Sequence, residues 1–287
     1  MKFDFIAAEK DHFPVPILCQ VMGVSRSGYY AWRGRVPSRR AVEDLALTDR
    51  IRVIHRRSRG TYGSPRVQAE LRADGLRHGR RRIARLMRKA SLAVRRRRRY
   101  RTTTSSRHTL PVAPNLLGRK FVAIAPNATW AADITYVPTG EGWLYLAIVL
   151  DLCTREVVGW AMASHMRAEL VATALTMALL RCRPPRGLIH HSDRGSQYAS
   201  AIFRRLLAHY GIAPSMSRKG DCYDNAPVES WFSTLKTELV EDRRFRSQAE
   251  ARAAIFEYIE VFYNRQRRHS ALGYATPVQF ATMVRAA

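Results

Sequence analysis

The chain is short of acid. Its 287 residues carry 23 Asp and Glu against 49 Lys and Arg, for a net charge of +26 and a pI near 11.1. Cysteine is scarce too: Cys19, Cys153, Cys182 and Cys222 stand far apart, with no Cys-x-x-Cys pair. That scarcity argues against structural zinc and a disulfide framework, and for a reduced cytoplasmic protein. No uncharged apolar stretch is long enough to span a membrane, and no lipidation motif is present. The opening Met1-Lys2-Phe3-Asp4-Phe5 lacks the apolar block of a signal peptide. No leucine heptad repeat is long enough to act as a dimerisation zipper. What remains is a globular chain, 46% apolar, long enough for about two domains. Its charge is the electrostatic footprint of a nucleic-acid partner.

The first 94 residues read as helical. Ile17, Leu18 and Val21 mark a short helix, Gly23 permits a turn, and Ser25 caps a second helix running toward Trp32. From Val42 to about Arg57, Leu45, Ile51 and Ile54 define an inward stripe. Ser64 as N-cap and Pro65 at the first helical position start a helix through Val67 and Leu71, which stops at Asp74-Gly75. The next helix turns Ile83, Leu86 and Met87 inward and Arg80, Arg81, Arg82, Arg85 and Arg88 outward, where arginine forks suit phosphates and guanine edges. Arg95, Arg96, Arg97, Arg98 and Arg99 form an unbroken block, with Thr and Ser behind it. Residues 95–120 read as a basic flexible linker, ordered only when DNA neutralises it.

From 121 to 287 the pattern changes to strands and helices. Strands are expected over Thr129–Val137, Leu144–Leu150 and Val157–Ala163, with a turn at Gly140-Glu141-Gly142. A helix over Ala168–Arg181, a strand ending at Asp193 and a helix over Ala201–Tyr210 follow. Three strands joined by short turns and then strand–helix alternation imply an α/β fold, a mixed sheet flanked by helices. Met216 to Pro227 reads as a mobile loop, and Ala249 to Phe262 as a helix.

Three acids sit in unusual company. Asp133 interrupts the β-prone run Trp130-Ala131-Ala132-Asp133-Ile134-Thr135-Tyr136-Val137. Asp193 ends a strand in His190-His191-Ser192-Asp193-Arg194-Gly195-Ser196-Gln197-Tyr198, and Glu229 opens a helix 35 intervening residues later. Lys236 follows Glu229 by seven residues. Seven helical residues turn by about 700°, so the two share a face, about 10 Å apart along the axis.

Those motifs resemble the DDE catalytic core of retroviral integrases and, most closely, OrfB-type transposases of the insertion-sequence-three group. The helical pairs at 15–33 and 64–89 and the Tyr263-Asn264-x-x-Arg267-x-His269 pattern resemble the same group. The resemblance implies a ribonuclease-H-like fold in which the strands of Asp133 and Asp193 are neighbours, preceded by helix-turn-helix elements. It implies that Asp133, Asp193 and Glu229 are catalytic and hold two Mg²⁺ ions, with Mn²⁺ able to substitute. Carboxylates are the ligands such hard cations prefer, and two cations can serve both the attacking and the leaving oxygen of an in-line phosphodiester displacement. On this reading Lys236 and the N-terminal arginines hold DNA, His190 and His191 are strand-end groups rather than metal ligands, and Asp221 and Asp224 are decoys for the third acid. Arg267 and His269 fix the C-terminal segment. The activity implied is cleavage at element ends and 3′-hydroxyl strand transfer. The partners implied are double-stranded DNA (terminal repeats and target), further copies of the chain, and a protein from a preceding reading frame or a fusion to it. A ribonuclease-H-like nuclease without strand transfer and a non-catalytic helix-turn-helix regulator stay open as alternatives.

Replacing all five arginines from Arg95 through Arg99 with serine is expected to weaken binding to every DNA sequence. Preference for element ends should survive, because phosphate contacts position without reading bases. A salt titration on specific and random duplexes checks this. Each lost phosphate contact lowers the slope of log K against log salt by about 0.9.

Overall fold

The computed structural model describes residues 2–94, 110–119, 121, 123–218, 222–241 and 243–286. The expected DNA-holding block of Arg95, Arg96, Arg97, Arg98 and Arg99 lies outside the described residues, as does Asp221. The chain divides into two compact units, Met1–Val53 and Ile54–Ala287.

In the first unit α1 (Lys2–Glu9), α2 (Val15–Val21) and α3 (Arg26–Arg33) enclose Ile6, Leu18, Cys19 and Tyr29. Ser25 caps α3 as expected, its hydroxyl accepting the Gly28 N–H at 3.0 Å. Helix α4 (Arg39–Arg57) crosses the division between the units. Its inward stripe is Leu47, Ile51 and Ile54, whereas Leu45 is 65% exposed. Leu47 and Ile54 are seven residues apart, two helical turns, whereas the expected Leu45 lies off that line.

The second unit begins with α5 (Ser64–Ala73) and α6 (Arg80–Lys89). Gly63, not Ser64, is the N-cap of α5, and Pro65 sits in its first turn. Pro65 fits there because the missing N–H has no helical acceptor in any case. Ile83, Leu86 and Met87 are buried on α6 as the spacing predicts. Both helices, expected to travel with the N-terminal region, belong to the same compact unit as the sheet. Tyr62 and Glu70 join them to the C-terminal segment. The Tyr62 hydroxyl accepts the Arg268 N–H at 2.7 Å, and Glu70 pairs with Arg268 at 2.8 Å.

Five strands form one sheet in the order β3-β2-β1-β4-β5: β1 (Thr129–Thr139), β2 (Gly142–Asp151), β3 (Val157–Ala163), β4 (Ile189–Ser192) and β5 (Ala213–Met216). The first three are antiparallel neighbours, and β4 joins β1 in parallel. Side chains alternate between two cores, as the two-residue period of a strand requires. Leu144, Leu146, Ile148 and Leu150 face one core, covered by α10 (Ala226–Leu235) and α11 (Gln248–Glu257). Ala147, Val149 and Val158 face the other, covered by α7 (Ala168–Cys182), α8 (Ser196–Ala199) and α9 (Ala201–His209). Helix α7 approaches β3 so closely that a side chain on Gly159 would run into the Ala174 carbonyl.

Strand β5 goes beyond the sequence expectation, because Pro214 breaks its pattern. The sheet tolerates it because β5 is an edge strand, where a missing N–H has no partner to lose. The expected loop that follows contains a 3₁₀ turn over Cys222–Asn225.

Two C-terminal features fasten the sheet. Asn264 clamps the outer strand β3, its Oδ1 accepting the Val157 N–H and its Nδ2 donating to the Val157 carbonyl, both at 3.0 Å. After α10 the helix widens into a π turn at Lys236–Val240, which turns Glu238 into the interior. There Arg267 forks onto Glu238 (2.7 and 2.8 Å) and Tyr258 donates to it (2.8 Å). Arg267 is 4% exposed, which agrees with the structural role read from its motif.

Glu238→Gln or Arg267→Met alone is expected to lose about 3–5 kcal/mol, because each leaves a buried charge unpaired. The double variant should regain most of that loss. Urea unfolding of the three proteins checks it, and a single-variant loss below about 1 kcal/mol would remove the pair from its anchoring role.

Candidate active site

The pairing of β1 with β4 fixes where two of the three acids lie. Thr129 faces Ile189, Trp130 faces His190 and Ala131 faces His191, a constant offset of 60. Carried two residues further, the same offset sets Asp133 beside Asp193. The ladder itself stops at Ala131, so Asp133 stands where β1 has just lost its neighbour. Asn225 fills the gap: its Nδ2 donates to the Ala132 carbonyl at 3.2 Å. Since Asn225 is also the N-cap position of α10, that one hydrogen bond ties the start of the helix carrying Glu229 to the backbone next to Asp133.

Each aspartate is steadied by a neighbouring backbone amide. Asp133 Oδ1 accepts the Ile134 N–H at 2.7 Å, and Asp193 Oδ1 accepts the Gly195 N–H at 2.9 Å. A side chain on Gly195 would press on the site, its Cβ 2.9 Å from Gln197 Oε1 and 3.0 Å from Asp193 Oδ1. The three acids feel one another. Burial, then the charge of Asp193, then that of Glu229 push the Asp133 carboxyl well above its usual range, opposed by the Ile134 hydrogen bond and the charge of Lys236. Burial and Asp193 raise Glu229 likewise. Lys236 does not simply point away along the helix. Its Nζ lies 5.3 Å from the centre of the Tyr136 ring, and its charge reaches Asp133.

Other chemically suggestive side chains have structural duties. Asp224, fully buried, accepts from Asn115, Arg119 and Arg218 at 2.9–3.2 Å, and the Arg218 hydrogen bonds hold its carboxyl well below the usual range. His191 lies between the Ser215 and Ser217 hydroxyls (2.8 and 3.3 Å). Burial drives His190 down to about 3, so both read as interior groups of β4. Arg80, Arg81, Arg85 and Arg88 lie on the exposed face of α6, with Arg82 half-buried. Sequence reasoning gave no role to Asn225, which opens the stretch Asn225-Ala226-Pro227-Val228-Glu229, or to Tyr198, whose buried hydroxyl has no hydrogen-bond partner among the described residues. Tyr198 is pushed well up by burial and by the charges of Asp133 and Asp193; its place in the Asp193 motif was the available signal.

Family models described as integrase core domain match residues 123–222 and 210–277, and one described as HTH-like domain matches 42–100. The transposase InsF for insertion sequence IS3A of Escherichia coli is 43% identical over 283 residues, covering 98% of both chains. This chain belongs to the IS3 family of transposases. An insertion element IS600 31 kDa protein of Shigella sonnei is 53% identical over 263 residues, 92% of this chain and 97% of that one. A solved HTLV-2 integrase catalytic core domain in complex with magnesium matches with TM-score 0.43 at 16% identity, covering 55% of this chain and 99% of that one. The transposase is thus a DDE polynucleotidyl transferase with an integrase catalytic core and an HTH-like region, and no helix among its described residues is long and apolar enough to cross a membrane.

Among the described residues of the transposase, no three His, Cys, Asp or Glu side chains are gathered tightly enough to enclose an ion. The donor chemistry of Asp133, Asp193 and Glu229 nonetheless fits hard divalent cations. The donors are all carboxylate oxygens, and the raised proton affinity of Asp133 and Glu229 is one that a positive charge would relieve.

The raised Asp133 has a consequence for stability. The folded chain keeps that proton to a higher pH than the unfolded chain, whose carboxyl titrates near 3.9. Stability is therefore lost as pH rises from that value through the folded one. Asp133→Asn should raise the Tm of the metal-free protein at pH 7, by about 2–4 °C per kcal/mol relieved, with no gain below about pH 4. Asp224 has the opposite sign, so Asp224→Asn should lower the Tm at pH 7, and by progressively less as pH falls below about 4. Thermal melts of both variants across pH check the contrast, and a Tm drop at neutral pH for Asp133→Asn would contradict it.

Proposed function

We propose that Asp133, Asp193 and Glu229 are the catalytic acids of this transposase and hold two divalent cations, Mg²⁺ with Mn²⁺ as substitute, during DNA cleavage at element ends and 3′-hydroxyl strand transfer. The observation that supports this most directly is the constant offset of 60 between β1 and β4, which sets Asp133 beside Asp193. The raising of Asp133 and Glu229 by their acidic neighbours adds to it. When bound, such cations activate the attacking oxygen and stabilise the leaving one in an in-line displacement. The chain's own residues supply the frame. Gly195 and Ile134 amides orient the two aspartates, Asn225 fixes the height of Glu229 against β1, and Lys236 offers a cation to a DNA phosphate from beside Tyr136.

Affinity belongs elsewhere. Arg80, Arg81, Arg82, Arg85 and Arg88 on α6 hold the DNA of the terminal repeats and the target, together with the block Arg95, Arg96, Arg97, Arg98 and Arg99. The protein acts as a homo-oligomer on DNA in the cytoplasm, on the nucleoid, with a protein of the preceding reading frame or fused to it. The retained acids favour this over a non-catalytic regulator, and a joining assay separates strand transfer from hydrolysis alone.

The test is cleavage and joining of element-end DNA. Asp133→Asn, Asp193→Asn and Glu229→Gln should each reduce product by about 10³-fold or more, with DNA binding largely unchanged. Ca²⁺ should permit binding with little turnover, since it prefers more ligands in looser geometry than Mg²⁺. Full activity in excess chelator, or in any one folded acid variant, overturns the corresponding assignment.

A further inference from the structure

The start of β2 carries an exposed tryptophan beside a hairpin turn that the C-terminal segment anchors. Trp143 is 50% exposed and Tyr136 39%, and their rings meet edge to face with centroids 4.8 Å apart. Exposed aromatics are common on surfaces and need no explanation singly. This pair differs in how firmly its hairpin is held. Gly140 N–H donates to the Phe245 carbonyl at 2.9 Å. Gln248 donates its N–H to Glu141 Oε2 at 2.8 Å and its Nε2 to the Trp143 carbonyl at 3.4 Å. Phe245, itself buried, is bridged to Thr139, the last residue of β1. A side chain on Gly140 would run into the Arg246 carbonyl.

The same anchor brings positive charge to the tip. Arg243, Arg244 and Arg246 flank Phe245 and are exposed, while Lys236 lies over the Tyr136 ring. A flat apolar face on a rigid support, flanked by cations, meets the physical requirements for stacking a nucleobase whose phosphates the cations hold. Duplex DNA keeps its base faces covered, so the matching ligand is an unpaired strand. A strand held there lies close to the acids, since Tyr136 and Asp133 are three residues apart on β1.

We propose that Trp143, braced by Tyr136 and flanked by Lys236, Arg243, Arg244 and Arg246, is a subsite that stacks an unpaired base of the DNA strand entering the site. The subsite deepens the reading of Asp133 as catalytic and rests on it for the direction of the strand. Stacking uses the face shared by all bases, so the subsite is tolerant of sequence.

The experiment uses the full chain without divalent cation and a forked duplex carrying 2-aminopurine in one unpaired arm, with the blunt duplex of the same sequence as reference. The fork should bind more tightly than the blunt duplex, and its fluorescence should be quenched on binding. Trp143→Ala should lose about tenfold of the fork's advantage, abolish the quenching and leave blunt-duplex affinity unchanged. Trp143→Phe, which keeps a stacking face, should restore most of both. Arg243→Ser with Arg244→Ser should lower the salt slope for the fork by about 0.7 per lost contact. Unquenched fluorescence with the wild-type chain, or a fork advantage that survives Trp143→Ala, overturns the proposal. Because no cleavage is read, a catalytically active Asp133→Asn would sink the acid assignment while leaving these outcomes to stand or fall alone.

Discussion

The chemistry proposed for this transposase depends on a parallel ladder three residues long. Thr129, Trp130 and Ala131 pair with Ile189, His190 and His191, and that register leaves Asp133 and Asp193 just past the ladder's end. A slip of one residue would turn one of the two carboxylates to the opposite face of the sheet, because strand side chains alternate. The register is guarded on both sides. Trp130 and Ala132 pack into one core while Ala131 and Val137 pack into the other, so slippage would exchange the two sets. The aspartates are held by hydrophobic patterning, and their mutual repulsion is borne by the sheet.

The strand that carries Asp133 and the strand end at Asp193 were legible because a charged residue in a β-prone run is a local anomaly. The β3 boundaries, the α7 start and the cap at Ser25 were legible for the same reason: each is written in adjacent residues. Leu45 misled because a helical stripe read from sequence has no fixed phase, and only packing shows that Leu47 is inside. Strand β5 was hidden by Pro214, whose cost vanishes at a sheet edge. The contact of Asn225 and the identity of Glu238 as the partner of Arg267 could not be read, since they join residues 93 and 29 positions apart. Long-range polar contacts leave no periodicity behind.

Charge is distributed by purpose rather than spread evenly. The chain has few acids, and those buried in the second unit each have defined work. Asp151 organises a turn through the Asn127, Cys153 and Thr154 amides (2.6–2.9 Å), Asp224 gathers Arg119 and Arg218, and Glu238 receives Arg267. Glu156 is raised by burial too, but Arg181 meets it at 3.3 Å; Asp133 and Glu229 are raised with no arginine among the charges that act on them. In so basic a protein, two acids kept away from compensating arginine are a better pointer to reactivity than acidity itself.

Asn225 and Asn264 share a trick with a consequence of a different kind. Each offers a side-chain amide, which has the donor and acceptor of a peptide group, to backbone left bare when a strand ends or reaches the sheet's border. Bare strand edges are templates on which a second molecule can add its own strand, the first step toward aggregates. In the proposed assembly, copies crowded onto one stretch of DNA would meet that hazard at high local concentration. By occupying the backbone of Val157 on the edge strand β3, Asn264 denies neighbours a place to pair there.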